Sequence, residues 1–99
     1  MDSIRTFDHR GRIVLSQTVR SMMGLTDIVI MRIRPDGLLL IPYMLGSRSE
    51  PSHSIRRFDA RDRIVVPVGI RKLARLTRSV ELVPVPEGVL LRPYPGGNV

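Results

Sequence analysis

Short apolar and β-branched runs alternate with charged loops along this chain. Ile4 to Phe7 and Ile13 to Leu15 flank the polar stretch Asp8-His9-Arg10-Gly11-Arg12, which predicts two strands joined by a loop. Ser16 is a good helix cap, and Val19, Met22 and Met23 behind it have helical spacing, so one or two turns of helix should follow. Ile28 to Arg34 and Leu38 to Pro42 then surround Pro35-Asp36-Gly37, the signature of a β-hairpin. The predicted order is ββαββ.

The same order then repeats. Displacing the chain by 51 positions aligns Ile4 to Tyr43 with Ile55 to Tyr94 without a gap, and 18 of the 40 pairs are identical. Unrelated sequences would match at about one position in seventeen, so the chain is an internal duplication. In the second copy Pro67 stands where Ser16 was, suited to the first helical position before Ile70, Leu73 and Leu76. Pro86-Glu87-Gly88 repeats the hairpin turn, while Pro84 and Pro86 mark Val83 to Val85 as an edge or irregular strand. Residues 44–54 join the copies; their Gly, Ser and Pro content reads as a flexible linker. The expected organisation is one domain over 1–99: repeat one 4–43, linker 44–54, repeat two 55–94 and a short tail 95–99.

A single unit of this size buries too little apolar surface to be stable alone. The two copies must therefore pack on each other, and the expected fold is mainly β with short helices, a pseudo-two-fold, barrel-like α+β domain.

Charge then narrows the function. Lys and Arg number 16 against 9 acidic residues, for a net charge of +7, and the isoelectric point is near 11.4. Such a surface attracts a polyanion, nucleic acid before an anionic membrane. Residues 1–50 carry a net +2 and residues 51–99 a net +5, so the second copy should dominate that attraction. Cysteine is absent, which excludes disulfides, thiolate metal sites and cysteine nucleophiles. No apolar run is long enough to span a membrane and the N-terminus lacks a signal-peptide core, so a cytoplasmic protein without membrane contact is expected. No nucleophile-and-base set, metal-ligand spacing or phosphate-binding glycine loop is evident, so neither an enzyme nor a cofactor is expected.

The strings FDHRGRIVLSQTVRSMMGL and FDARDRIVVPVGIRKLARL both resemble the AbrB/MazE/SpoVT family of swapped-hairpin DNA-binding regulators, and the resemblance covers both repeats. The Asp-x-x-x-Arg spacing also resembles the two-repeat MraZ-type regulators of the same superfamily, which are longer. The resemblance implies a swapped-hairpin β-barrel in which one chain supplies both halves, and a double-stranded DNA partner. It implies DNA contacts at Arg5, Arg12 and Arg20 in the first copy and at Arg56, Arg63, Arg71 and Lys72 in the second. Three departures stand out: Ser21 in place of the helix's second basic residue, Asp62 in place of Gly11, and Ser16 in place of Pro.

The residues themselves support a related set. Arginines at the ends of a tight loop, here Arg10, Arg12, Arg61 and Arg63, can reach phosphates or guanine edges while flanking strands hold the loop still. The competing reading is a solvated charged face in which Asp8 pairs with Arg12 and Asp59 with Arg63. Asp8 and Asp59 should accept backbone hydrogen bonds and shape the loops with Gly11, and Asp62 either avoids positive φ or tolerates it. His9 and His53 should lie on the surface, and Phe7, Phe58, Tyr43 and Tyr94 in the core. Transcriptional regulation by sequence-specific duplex binding is the leading expectation. An antitoxin of the same fold is the nearer rival, although only Pro95 to Val99 follows the last strand; a basic module that binds an acidic protein is the other. A homodimer or higher homo-oligomer and a toxin partner both stay open.

Overall fold

In the computed structural model, residues 3–44 and 54–95 are described. Within them the chain is mainly β with two short helices. The first copy contributes β1 (Ile4–Thr6), β2 (Arg12–Val14), α1 (Gln17–Met22), β3 (Ile28–Arg34) and β4 (Gly37–Pro42). The second contributes β5 (Ile55–Arg57), β6 (Arg63–Val65), α2 (Val68–Leu73), β7 (Ser79–Val85) and β8 (Gly88–Pro93). Every predicted element forms. The linker reading falls, apart from Met44 and Ser54, outside the described residues, as does most of the tail.

Six strands make an antiparallel sheet, in the order β1-β7-β8-β4-β3-β5, that curls into half a barrel; β2 and β6 form a separate two-stranded ribbon. The order shows how the copies hold each other. β1 of the first copy pairs with β7 of the second, Ile4 facing Glu81, and β5 of the second pairs with β3 of the first, Ile55 facing Ile30. The two hairpins meet at the centre, where β4 pairs with β8 from Leu38 facing Leu91 to Leu40 facing Val89.

Period-two alternation then puts one side of each strand inside. Val29, Met31, Leu38 and Leu40 of the first hairpin and Val80, Leu82, Val89 and Leu91 of the second join one buried cluster, closed by Phe7, Phe58, Ile13, Ile64, Leu15 and Val66. The tyrosines depart from expectation. Tyr43 is half-buried and Tyr94 is exposed, although each still donates its backbone N–H across its hairpin, to the Ile28 and Ser79 carbonyls at 2.9 and 3.1 Å.

Both helices are six residues long, and their caps differ as the sequence does. Ser16 caps α1, its hydroxyl accepting from the Val19 N–H at 3.2 Å, whereas Pro67 is itself the N-cap of α2, one position before the predicted one, and makes no side-chain cap bond. Strand β7 runs unbroken through Pro84, so that stretch is regular. It is also an edge, since β1 begins opposite Glu81 and runs toward Ser79, leaving only β8 to flank Val83 to Val85 among the described residues.

The glycines of the two hairpin turns do more than turn the chain. A Cβ on Gly37 would overlap the Leu91 carbonyl oxygen, and one on Gly88 would overlap the Leu40 carbonyl oxygen. At both positions the neighbouring strand's backbone occupies the space a side chain would need, so glycine is required by the contact between copies. Gly88→Ala should therefore cost about 1–3 kcal/mol or more through forced strand separation. Gly69→Ala, on an open face of α2 with nothing within 4 Å, should instead stabilise by about 0.5–1 kcal/mol through helix propensity. Urea unfolding midpoints of the two variants give both signs.

Candidate nucleic-acid interface

Each charged loop is built around one aspartate. Asp8 Oδ1 accepts the backbone N–H groups of Arg10 and Arg12, both at 2.9 Å, and its Oδ2 accepts Arg12 Nε at 2.7 Å. Asp59 does the same with Arg61 at 2.8 Å, Arg63 at 2.9 Å and Arg63 Nε at 2.8 Å. Hydrogen bonds to the charged form favour it. The Arg12 backbone N–H, opposed by desolvation and assisted by the Arg12 side chain and the Arg10 backbone, lowers the Asp8 pKa from 3.8 to about 2. Asp59 is lowered for the same reasons, the Arg63 backbone first.

Both loops end in left-handed backbone, Gly11 at φ 75° and Asp62 at φ 62°. Asp62 thus adopts positive φ, which Asp tolerates better than most residues. Main-chain bonds tie each loop to the other copy: Val66 N–H donates to Gly11 C=O at 2.9 Å, and Leu15 N–H donates to Asp62 C=O at 3.0 Å.

Between the loops lies the ribbon. Ile13 faces Ile64 and both are buried at 1% exposure, so the flanking pairs, Arg12 with Val65 and Val14 with Arg63, turn outward. Val14 and Val65 are about half exposed on that outer face. Antiparallel pairing sets the loops at opposite ends of the ribbon, with Arg10 and Arg61 exposed beside them. Two arginine-valine pairs therefore share one outward face, with an arginine-bearing loop at each end of the ribbon.

The other anticipated contacts fall in different surroundings. Arg12 and Arg63 form the ion pairs with Asp8 and Asp59 while remaining partly exposed. Arg5 is half-buried, giving Nε to the Val14 carbonyl and Nη1 to the Ile4 carbonyl, each at 2.9 Å. Arg56, its counterpart, has a buried Nε without a partner among the described residues, and nothing in the structure explains it. Lys72 and His9 are exposed, and His53 lies outside the described residues.

Arg20 is the clearest departure from the expected set. It is 5% exposed, with Nη1 donating to the Leu15 carbonyl at 2.6 Å and to Asp62 at 3.0 Å, Nη2 donating to Asp27 at 3.1 Å, and its guanidinium over the Phe58 ring at 4.4 Å. Its place is interior because two carboxylates, one from each copy, neutralise it there. Arg71 is the counterpart. It gives Nε to the Val66 carbonyl at 2.9 Å and lies 5.5 Å from the Phe7 ring, but it forms no ion pair among the described residues and stays half-buried. Neither periodicity nor capping pattern marks Asp27 and Asp62 as partners of Arg20. Their signal was available, because both stand where the repeat breaks, opposite Arg78 and Gly11.

No family model, curated protein or solved structure matches this chain. Among the described residues, no helix is long and apolar enough to cross a membrane, and no group of His, Asp or Glu is arranged to hold a metal ion.

Two outcomes follow from this geometry. A carboxylate with a depressed pKa contributes stability above its ordinary value and loses it as pH falls through the lowered one. Asp8→Asn, or the double change with Asp59→Asn, should therefore flatten the fall in stability between about pH 4 and about pH 2, read by denaturant melts at stepped pH. Arg20→Ala should cost about 1–3 kcal/mol, because the buried Leu15 carbonyl loses its side-chain donor while Asp27 and Asp62 can return to water. A thermal melt showing no loss would mean that the interior guanidinium is dispensable.

Proposed function

We propose that this chain is a sequence-specific, double-stranded-DNA-binding transcriptional regulator of the AbrB/MazE/SpoVT type. In this reading its two ββαββ copies make a pseudo-two-fold, swapped-hairpin barrel within one chain, and it acts in the cytoplasm without a cofactor. The exchange of β1 and β5 between copies supports the architecture, because each pairs on the other copy's hairpin in the same register.

The ribbon β2/β6 carries the functional reading. A two-stranded ribbon is one of the elements that a major groove about 12 Å wide can admit, and three residues per strand span about 10 Å. In this reading outward Arg12 and Arg63 read base edges, Val14 and Val65 meet thymine methyls, and Arg10 and Arg61 at the two ends hold phosphates. Fixing the loops through Asp8 and Asp59 lowers the entropy lost on binding.

The test is a duplex titration at several salt concentrations, starting from random-sequence DNA and proceeding to library selection. Log affinity should fall against log salt with a slope of about −3 to −6. The variant Arg10→Ala/Arg61→Ala, checked for folding by circular dichroism, should bind at least about tenfold more weakly with a slope about 2 units shallower. Absence of duplex binding at low salt overturns the proposal, and co-purification of a bound ribonuclease would favour the antitoxin alternative.

A further inference from the structure

Two clefts occupy equivalent places, each between one copy's loop and the other copy's helix. One is lined by Phe7, Asp8 and His9 with Arg71, Lys72 and Arg78. The other is lined by Phe58, Asp59 and Ala60 with Arg20, Asp27 and Asp62. Under the 51-residue repeat, Phe7 matches Phe58, Asp8 matches Asp59, Arg71 matches Arg20 and Arg78 matches Asp27. The charges are opposite. Three cations face one carboxylate in the first cleft, while a single arginine faces three carboxylates in the second.

The difference traces to the partners of one arginine. Arg20 is closed in by Asp27 and Asp62. At the matching positions around Arg71 stand a third basic residue, Arg78, and Gly11, whose missing side chain leaves Arg71 Nη2 only 2.9 Å from where a Cβ would be. Asp8, the acid that remains, is already held by Arg12 and two backbone N–H groups. Arg71, Lys72 and Arg78 form no ion pair among the described residues. A half-buried guanidinium beside two further cations and no free carboxylate favours an anion, and guanidinium suits phosphate in particular.

We propose that the cleft of Arg71, Lys72 and Arg78 binds a phosphate group, and that its twin around Arg20 does not. At about 590 Å³ the cleft has room for more than inorganic phosphate. The phosphate can belong to a free nucleotide-sized phosphomonoester or to a nucleic-acid backbone. Arg71 and Lys72 are also among the DNA contacts expected from the sequence, so the backbone source rests on the DNA-binding reading and the free-phosphate source does not.

Calorimetric titration of the full chain with inorganic phosphate, with deoxyadenosine 5′-monophosphate and with duplex DNA tests this. The key variant is Arg78→Asp, which copies the twin cleft by giving Arg71 an acid; Arg78→Gln is the second variant should the first fail to fold. Arg57→Asp makes the same charge change on edge strand β5, away from the cleft, and is the control. The expected result is one site per chain for at least one probe, weakened at least tenfold by the Arg78 variants and less than threefold by Arg57→Asp. Loss with the free phosphates identifies a small ligand, and loss with duplex alone identifies the backbone. Equal loss from Arg57→Asp, or no effect of the Arg78 variants on any probe, overturns the proposal. Phosphate binding without duplex binding would leave this site standing while the DNA-binding reading fails.

Discussion

Strand edges are the constraint on which everything else depends. A hairpin of either copy has two open edges, with backbone donors and acceptors that need partners. β4 and β8 close one edge of each hairpin against the other, and β7 and β3 receive β1 and β5 on the remaining edges. Neither copy can complete its own sheet in this arrangement. The buried cluster is accordingly continuous across the copies, and the glycines at the two turns admit the close approach of β4 and β8.

The pairings of β1 with β7 and of β5 with β3 also position the charged surface. Because β1 leaves one copy to join the other's sheet, the loop that follows it arrives beside the other copy's helix, and the two β2-type strands meet as a ribbon. Within each loop one aspartate collects two backbone N–H groups and a guanidinium. The bonds from Val66 to Gly11 and from Leu15 to Asp62 then fasten each loop to the other copy.

The two halves differ in charge while their elements stay alike. Asp62 keeps the left-handed turn that Gly11 makes, yet it brings a carboxylate to Arg20 that Arg71 does not have. One arginine becomes an interior fastener between copies and its counterpart stays half-exposed in a basic cleft. The excess of positive charge in the second half of the sequence has a spatial counterpart: Arg71, Lys72 and Arg78 gather around one cleft.

The sequence alone determined the duplication, all ten elements, the hairpin turns, the Ser16 cap and the two loop aspartates, because each is a local pattern of periodicity or hydrogen-bonding residues within a few positions. The loop arginines were legible as candidates for the same reason. Tertiary structure decided which strand pairs with which, and therefore that Arg12, Val14, Arg63 and Val65 share one outward face. It also decided that Arg20 is interior while Arg71 is not. Their own residue identities and helix positions are the same, and the difference comes from Asp27 and from Asp62, the second contributed by the other copy 42 residues away. Local propensity contains no term for a partner at that separation, and the burial of a charge depends on whether such a partner arrives.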